Sequence, residues 1–259
     1  MFDLAALHTA LAGTIFAGKL HFSPVTESTN TDAMAAARSG APHGSVYFAD
    51  EQLAGRGRGN HAWHSPAGEG LYVSILLRPQ MPAERHALLP LAAGLAAADA
   101  IQAAAGIAVD LRWPNDLLIG PRKTGGILVE AHIEAGSVAF AVVGIGINVH
   151  QRSFDPSLST PATSLGQEGA GPVSRQALLV SLLKSLEHET RALVDPDAPA
   201  TIPLRVEHAS TWVRGRKVEV HGPQACVGVT AGLDEHGFLL VRTADGLVTV
   251  QTGGIRAAE

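Results

Sequence analysis

The sequence is poor in cysteine, in charge and in long apolar runs. Cys226 is the single cysteine among 259 residues, which excludes an internal disulfide framework and any Cys-x-x-Cys metal site. Charged residues make up 17% of the chain and the formal net charge is -5, so binding of nucleic acid through overall basicity is disfavoured. The start of the chain lacks the basic flank of a secretory signal, and we therefore expect a cytoplasmic protein.

No apolar run has the character of a membrane span. The most apolar stretch, residues 88–105, is rich in alanine and carries Pro90, Asp99 and Gln102, which favours a buried helix. We expect no membrane partner. The 46% apolar residues indicate a globular chain with a proper core, and the length of 259 residues suits one large domain and one small one.

Several familiar catalytic motifs are also missing from the sequence. Neither a Gly-x-x-x-x-Gly-Lys-Ser/Thr phosphate loop nor a Gly-x-Ser-x-Gly nucleophile elbow is present. His61 and His64 stand alone beside a glycine turn, so we predict no protein-built metal site.

A glycine- and arginine-rich segment is the most unusual feature that is present. In residues 55–63, which we call the clamp, three glycines alternate with Arg56 and Arg58 before Trp63. Such a backbone is free to bend while it projects two fixed positive charges. A solvated turn or a disordered basic linker is the simpler interpretation; a clamp that becomes ordered around an anionic ligand is the alternative.

Hydrophobic periodicity and turn residues predict alternating strands and helices over most of the chain. Predicted strands cover residues 15–25, 45–49, 71–77, 109–112, 127–133 and 138–143. Predicted helices cover residues 3–12, 83–105 and 175–193, a segment opened by capping residues 28–30 and closed by Gly40, and a stretch to about residue 208. The clamp therefore connects two strands.

The pattern changes near the C-terminus. Four short alternating strands, at residues 217–220, 227–231, 238–241 and 247–251, are separated by glycine-containing turns. We predict a first domain over residues 1–210 and a small β-rich domain over residues 211–259.

Three further segments can each be interpreted as having a purely structural role or a functional one. Ser28 and its neighbours can simply cap a helix or can face a ligand at its N-terminus. Trp113 can be a core aromatic, with Asn115 and Asp116 as turn residues. Lys123, before two glycines, can be solvated or can reach into a cleft.

The ordered combination of motifs is more specific than any of its parts. It consists of Glu27-Ser28-Thr29-Asn30, Gln52 with Gly55-Arg56-Gly57-Arg58, Trp63, Trp113-Pro114-Asn115-Asp116, Lys123-Thr124-Gly125-Gly126-Ile127-Leu128 and Gly144-Ile145-Gly146-Ile147-Asn148. Over essentially the whole chain this resembles the biotin protein ligases, or biotin–[acetyl-CoA-carboxylase] ligases. The resemblance implies an α+β fold: a mixed β-sheet with helices on one side, related to class II synthetases, plus a small C-terminal SH3-like β-barrel.

The resemblance also implies an activity. Biotin, ATP and Mg²⁺ would give biotinyl-5′-AMP and pyrophosphate, and the biotin would pass to a lysine of a biotin carboxyl carrier protein, a subunit of acetyl-CoA carboxylase. Too few residues precede Ser28 for the helix-turn-helix of about sixty residues that bifunctional members carry, so we expect a monofunctional ligase that does not bind DNA. A homodimer stays open.

Roles follow by resemblance. The resemblance places Ser28, Thr29, Asn30 and Gln52 around the biotin rings, and Arg56, Gly57 and Arg58 over the carboxylate and phosphate. Lys123 would sit at the biotin carboxylate and the α-phosphate. Trp63, Trp113 and Asn148 would frame the adenylate, and Asn115 and Asp116 would shape the nucleotide and metal end. Gly55 and Gly126 complete the binding positions. The expected catalytic residues are Lys123, Arg58 and Asp116: the two cations stabilise developing charge, and Asp116 orients or deprotonates the incoming lysine.

The sequence departs from the family pattern in two places. Residues 59–62 interrupt the basic run that usually continues the clamp, and residues 205–208 stand where a tryptophan-containing segment is common. Two other functions are kept as alternatives: a lipoate or octanoate ligase of the same superfamily, and a non-catalytic biotin-binding module. We also expect the clamp to become ordered only with biotin or the adenylate.

Overall fold

A seven-stranded mixed sheet forms the larger part of the computed structural model, which describes residues 2–59, 61–195 and 201–258. Its strands are β1 (Leu20–Thr26), β2 (Ser45–Gln52), β3 (Gly70–Leu77), β4 (Asp110–Arg112), β5 (Asp116–Ile119), β6 (Arg122–Glu134) and β7 (Ser137–Asn148). They lie in the order β1-β2-β3-β7-β6-β5-β4, with β1 and β2 parallel and all other neighbours antiparallel. The predicted mixed α+β class is confirmed.

The helices of the described residues are α1 (Leu4–Ala10), α2 (Thr29–Arg38), α3 (Leu88–Ala105), α4 (Arg175–Val194) and α5 (Thr201–His208). Helix α3 is long and apolar enough to cross a membrane, but it is mostly buried. Its alanine-rich surface packs against α4 and the sheet, as expected for a core helix.

Alternate side chains of β3 point to opposite faces of the sheet, and their contacts show which helices cover each face. Leu71, Val73 and Ile75 point into the main core with α3 and α4, whereas Leu76 packs with Ala33 of α2. Helix α2 therefore covers the opposite face, which we call the site face. The prediction that the helices lie on one side of the sheet was wrong for α2, because its apolar residues pack on Leu76. Paired positions of neighbouring strands on that face include Ser74 with Gly144 and Gly126 with Gly146.

Some predicted boundaries were wrong. The strand predicted from residue 15 begins at Leu20, because residues 11–17 form turns. The Lys19 ammonium group donates a hydrogen bond to the carbonyl of Ile15 in these turns. The helix predicted over residues 83–105 is divided into a 3₁₀ turn, Ala83–Arg85, and α3. Pro90 lies in the first turn of α3, where its missing N–H is not needed.

Helix α4 was predicted closely. The hydroxyl of Ser174 accepts a hydrogen bond from the N–H of Ala177 at 3.2 Å, so the expected cap is present. Residues 205–208 form the end of α5, where Arg205 pairs with the buried Glu189.

The C-terminal part is a five-stranded antiparallel sheet, in the order β11-β10-β9-β8-β12. The strands are β8 (Arg214–His221), β9 (Cys226–Leu233), β10 (Leu239–Thr243), β11 (Gly246–Val250) and β12 (Gly254–Ala257). This second sheet is consistent with the predicted SH3-like unit. The strand β12 was not predicted, because it has only four residues and begins at Gly254. The division at residue 210 stays a prediction.

Candidate active site

One large cavity lies between the site face, the clamp and the C-terminal sheet. Its volume of about 1350 Å³ exceeds the roughly 300–1,000 Å³ of clefts for one small ligand. All of the predicted site residues line it: Ser28, Thr29, Asn30, Gln52, Gly55, Arg56, Gly57, Arg58, Trp63, Trp113, Asn115, Asp116, Lys123, Gly126 and Asn148. Residues that are far apart in sequence therefore share one space large enough for two ligands.

The clamp folds back on itself between β2 and β3. The N–H of Trp63 donates to the carbonyl of Gly55 at 2.8 Å, and the N–H of Gly57 donates to the carbonyl of His61 at 2.7 Å. Asn60, within the departure from the family pattern, lies outside the described residues. The ligand-dependent ordering of the clamp stays a prediction.

Buried polar side chains surround one end of the cavity. The Oε1 atom of Gln52 accepts hydrogen bonds from the backbone N–H of Thr29 at 2.9 Å and from its hydroxyl at 3.1 Å. The Thr29 hydroxyl also lies 2.8 Å from that of Ser74, which donates to Asn30 Oδ1 at 2.6 Å. The first N–H of α2 is thus bonded to Gln52, and this end of the cavity is a connected polar network.

Ser28 is the N-cap residue of α2, but it caps with its backbone. Its carbonyl accepts a hydrogen bond from the N–H of Asp32 at 3.0 Å, and its hydroxyl makes no capping bond. The side chain is buried and lines the cavity. The simple capping interpretation is therefore wrong for this hydroxyl.

Two glycines of β7 make room on the site face. A Cβ atom added at Gly146 would lie 2.5 Å from the indole nitrogen of Trp63, and one added at Gly144 would overlap Asn30. The glycines therefore allow these side chains to approach the backbone of β7, as expected for glycine within a strand.

A compact charged cluster lies at the other end of the cavity. Asp116 accepts hydrogen bonds from Arg112 Nε at 3.1 Å and from one terminal Arg112 nitrogen at 2.6 Å, and it forms an ion pair with Lys123 Nζ. Burial alone would raise the pKa of Asp116, but the charges and hydrogen bonds of Lys123 and Arg112 outweigh burial and lower that pKa. The cluster therefore holds an ionised carboxylate and a net positive charge.

The ammonium group of Lys123 is also placed by the segments around it. It lies 5.4 Å from the ring centre of Trp63. The Lys123 backbone donates to Pro161 at 2.8 Å and accepts from Thr163 at 2.9 Å. The alternative of a solvated lysine is therefore wrong.

Arg58 reaches from the clamp to the C-terminal sheet. One terminal nitrogen donates to the carbonyl of Gly253, and the other donates to the Thr252 hydroxyl at 3.3 Å. Burial lowers the pKa of Arg58, and the nearby Asp116 charge opposes this shift. A guanidinium that has lost much of its hydration gains more from an anionic ligand than an exposed one does.

Trp113, Asn115 and Asn148 use their polar groups within the protein. The Trp113 indole N–H donates to Gly237 at 3.1 Å, the Asn115 amide donates to Ile127 at 2.7 Å, and that of Asn148 donates to Thr163. Trp113 is 4% exposed. These contacts favour the interpretation of Trp113 as a core aromatic that also forms part of the cavity wall.

Sequence reasoning missed three polar residues that organise the site. Ser74 interrupts the apolar strand β3, Glu130 follows the apolar run at residues 127–129 of β6, and Arg112 directly precedes Trp113. A polar residue within or beside an apolar run was the available signal, because such a residue requires a partner where it is buried.

The site does not contain a ready-made metal cage. Among residues 2–59, 61–195 and 201–258, no group of three or more His, Cys, Asp or Glu side chains could hold a metal ion. Both oxygens of Asp116 are engaged by cations. Asp116 is therefore committed to Arg112 and Lys123.

Comparison with known proteins gives a consistent result. The model of the biotin/lipoate A/B protein ligase family matches residues 22–148. The bifunctional ligase/repressor BirA of Bacillus spizizenii is 35% identical over 244 residues, which cover 91% of this chain and 73% of that protein. The biotin–[acetyl-CoA-carboxylase] ligase of Mycobacterium tuberculosis is 32% identical, over 89% of this chain and 85% of its own length.

Solved structures agree with these relatives. The biotin protein ligase of Aquifex aeolicus in complex with biotin and ATP superimposes with a TM-score of 0.79 at 28% identity, covering 93% of this chain and 100% of that one. The resemblance inferred from the motifs is confirmed. The chain belongs to the biotin/lipoate A/B protein ligase family.

Proposed function

We propose that the protein is a biotin protein ligase that activates biotin with ATP and transfers it to a lysine of a carrier protein. In the first step a biotin carboxylate oxygen bonds to the α-phosphorus and the bond to pyrophosphate breaks. In the second step the uncharged lysine nitrogen bonds to the acyl carbon, the acyl–oxygen bond breaks so that AMP leaves, and the nitrogen releases one proton to solvent. The observation that carries the proposal is the convergence of Lys123, Arg58 and a buried polar network on one cavity.

The two cations would act on the reacting end of the ligand. A carboxylate and a phosphate repel each other, so their approach requires positive charge in a site with little water. Lys123 and Arg58 come from separate segments and line the same space. They are therefore suited to stabilise the charge that develops on the phosphate in both steps.

The polar network would bind the biotin rings. A ureido group offers two N–H donors and one carbonyl acceptor, and Ser28, Thr29, Asn30 and Gln52 offer hydroxyls and amides at one end of the cavity. A lipoate or octanoate chain has no ureido group and would offer these side chains neither the N–H donors nor the carbonyl acceptor of biotin. The network therefore favours biotin over the alternative acyl groups.

Asp116 would position the cations. Its lowered pKa makes it a weak base toward a lysine ammonium, whose ordinary pKa is about 10.4. Its contacts with Lys123 and Arg112 instead fix the direction of both charges. We assign Asp116 to orientation rather than to proton removal.

The finer parts of the proposal concern the partners. Mg²⁺ would accompany ATP, and no step above depends on its geometry. The carrier would be a biotin carboxyl carrier protein, as the name of the Mycobacterium tuberculosis relative suggests. Cytoplasm is the proposed compartment, and DNA is not a proposed partner.

A carrier-labelling assay tests the function. The purified chain is incubated with biotin, ATP, Mg²⁺ and a carrier domain, and intact-protein mass spectrometry should show one biotin added to the carrier. A carrier that stays unlabelled here, but is labelled by an active ligase in parallel, would reject the proposal.

Competition separates biotin from the other acyl groups. Unlabelled biotin should displace a fluorescent biotin probe from the protein, whereas lipoate and octanoate should not at similar concentrations. Displacement by lipoate at equal strength would favour the lipoate alternative.

A further inference from the structure

Glu130 is a charged residue of strand β6 that directly follows the apolar run at residues 127–129. It stands opposite Val142 of β7, on the site face two residues beyond Leu128. Its side chain does not line the cavity, yet its carboxylate contacts two residues that do. The Oε2 atom accepts a hydrogen bond from the Asn30 amide at 3.0 Å.

The same carboxylate holds the clamp. One terminal nitrogen of Arg56 donates to Glu130 Oε2 at 2.9 Å, and the other donates to Oε1 at 2.9 Å. This is the two-pronged geometry in which arginine binds carboxylates most specifically. Glu130 therefore joins Asn30, at the polar end of the cavity, to Arg56 of the clamp.

The pairing changes the charge that the clamp can offer. The positive charge of Arg56 is balanced by Glu130, whereas Arg58 bonds to a backbone carbonyl and a hydroxyl. The site therefore draws its net positive charge from Arg58 and from the Arg112, Asp116 and Lys123 cluster. Arg56 is placed as an anchor of the clamp rather than as a ligand of the phosphate.

The hydrogen bonds continue from Glu130 to the polar end of the cavity. Asn30, which donates to Glu130, accepts from Ser74; Ser74 bonds to Thr29, and Thr29 donates to Gln52. A ligand that fixes the orientation of the Asn30 amide also fixes the Glu130 carboxylate to which that amide donates. The same carboxylate accepts the hydrogen bonds of Arg56. Coupling of this kind is reciprocal, so an anchored clamp strengthens ligand binding.

We propose that Glu130 is a positioning residue that couples occupation of the biotin pocket to the anchoring of Arg56 in the clamp, through its contacts with Asn30 on one side and Arg56 on the other. The proposal rests on the proposed function, because biotin is taken as the ligand. The Arg56 and Glu130 side chains are 45% and 26% exposed, and such a pair adds little to global stability. Its effect belongs to ligand binding and clamp order.

The test compares Glu130→Gln, Arg56→Gln and the double variant with the wild-type chain. Pyrophosphate release is measured at saturating ATP as biotin is varied, and tryptic cleavage after Arg58 is followed with biotin present. Each single variant should raise the KM for biotin about tenfold, the effect of losing a charged hydrogen bond, with a smaller change in kcat. Cleavage after Arg58 should become faster.

The double variant should be no worse than either single variant, because both remove one shared interaction. Glu134→Gln, the same change at an exposed position of β6, should behave like wild type in KM, cleavage and thermal unfolding. A Glu130→Gln variant that binds biotin unchanged, or more tightly because Arg56 has been released, would overturn the proposal. Additive losses in the double variant would do so too.

The wild-type chain distinguishes the two levels of failure. If wild type releases pyrophosphate with biotin and Glu130→Gln matches it, this inference alone fails. If wild type neither binds biotin nor releases pyrophosphate, the proposed function fails and this inference fails with it.

Discussion

The substitution Asp116→Asn separates the two roles that the sequence left open for this residue. The carboxylate lies between Arg112 and Lys123 with 14% of its side chain exposed. An amide of the same size keeps the shape but loses the charge that holds both cations. If Asp116 acts by orientation, the loss affects every step that uses Lys123.

The expected magnitude follows from these contacts. A hydrogen bond to a charged group contributes about 1.5–3 kcal/mol. Since about 1.4 kcal/mol corresponds to a tenfold change in rate, adenylate formation should slow by roughly 10–150-fold. Transfer should slow by a similar factor, because Lys123 stabilises charge in both steps.

The assay measures the two half-reactions apart. Adenylate formation is followed by biotin-dependent pyrophosphate release without carrier, and transfer is followed by mixing preformed biotinyl-AMP with enzyme and carrier. The exposed Asp245→Asn, in the turn between β10 and β11, is the matched control. If Asp116→Asn forms the adenylate normally but loses transfer selectively, Asp116 does not act by orienting the cations and acts instead as a base in transfer.

Three further perturbations test neighbouring parts of the site. Lys123→Ala should slow adenylate formation by roughly 10²–10³, the usual effect of losing a charge-stabilising group, and near-normal pyrophosphate release would remove Lys123 from that role. Gly146→Ala would force the Trp63 ring away from β7 and should lower the free energy of unfolding by about 1–3 kcal/mol in denaturant titrations. The control is Gly171→Ala, whose added methyl group meets open space. Equal stability of the two variants would contradict the packing of Trp63 against Gly146. Because the pKa of Asp116 is lowered on folding, its ionisation stabilises the protein above the ordinary value of 3.8, and this stabilisation is lost as the pH falls through the lower folded value. Asp116→Asn should therefore lose less stability in acid than wild type does, and parallel acid unfolding curves would disprove the linkage.

The sequence predicted which residues line the cavity better than it predicted the hydrogen bonds and ion pairs among them. Lys123, Arg58 and Gln52 were identified because rare motifs occur in a fixed order, and all three line one space. The partners of Arg56 and Lys123 could not be identified in this way. They depend on strand register and on the face chosen by α2, neither of which is encoded in local residue patterns.

The same limit explains the errors in the fold. Alternation in residues 15–19 resembled a strand, but the Lys19 ammonium group donates to the carbonyl of Ile15 in a turn there and to the carbonyl of His43 in a separate turn. The strand β12 is short and begins at Gly254, so its pairing with β8 could not be recognised from its own residues. Tertiary contacts decide such segments, and local propensity does not.

In the proposed mechanism, cations from two distant segments meet one ligand between biotin and ATP. A crystal structure with a non-hydrolysable biotinyl-AMP analogue would show whether they do. We expect the guanidinium of Arg58 and the ammonium of Lys123 within hydrogen-bond distance of the linkage between acyl group and phosphate, and Arg56 still paired with Glu130. An analogue bound with its phosphate away from both Arg58 and Lys123 would contradict the account.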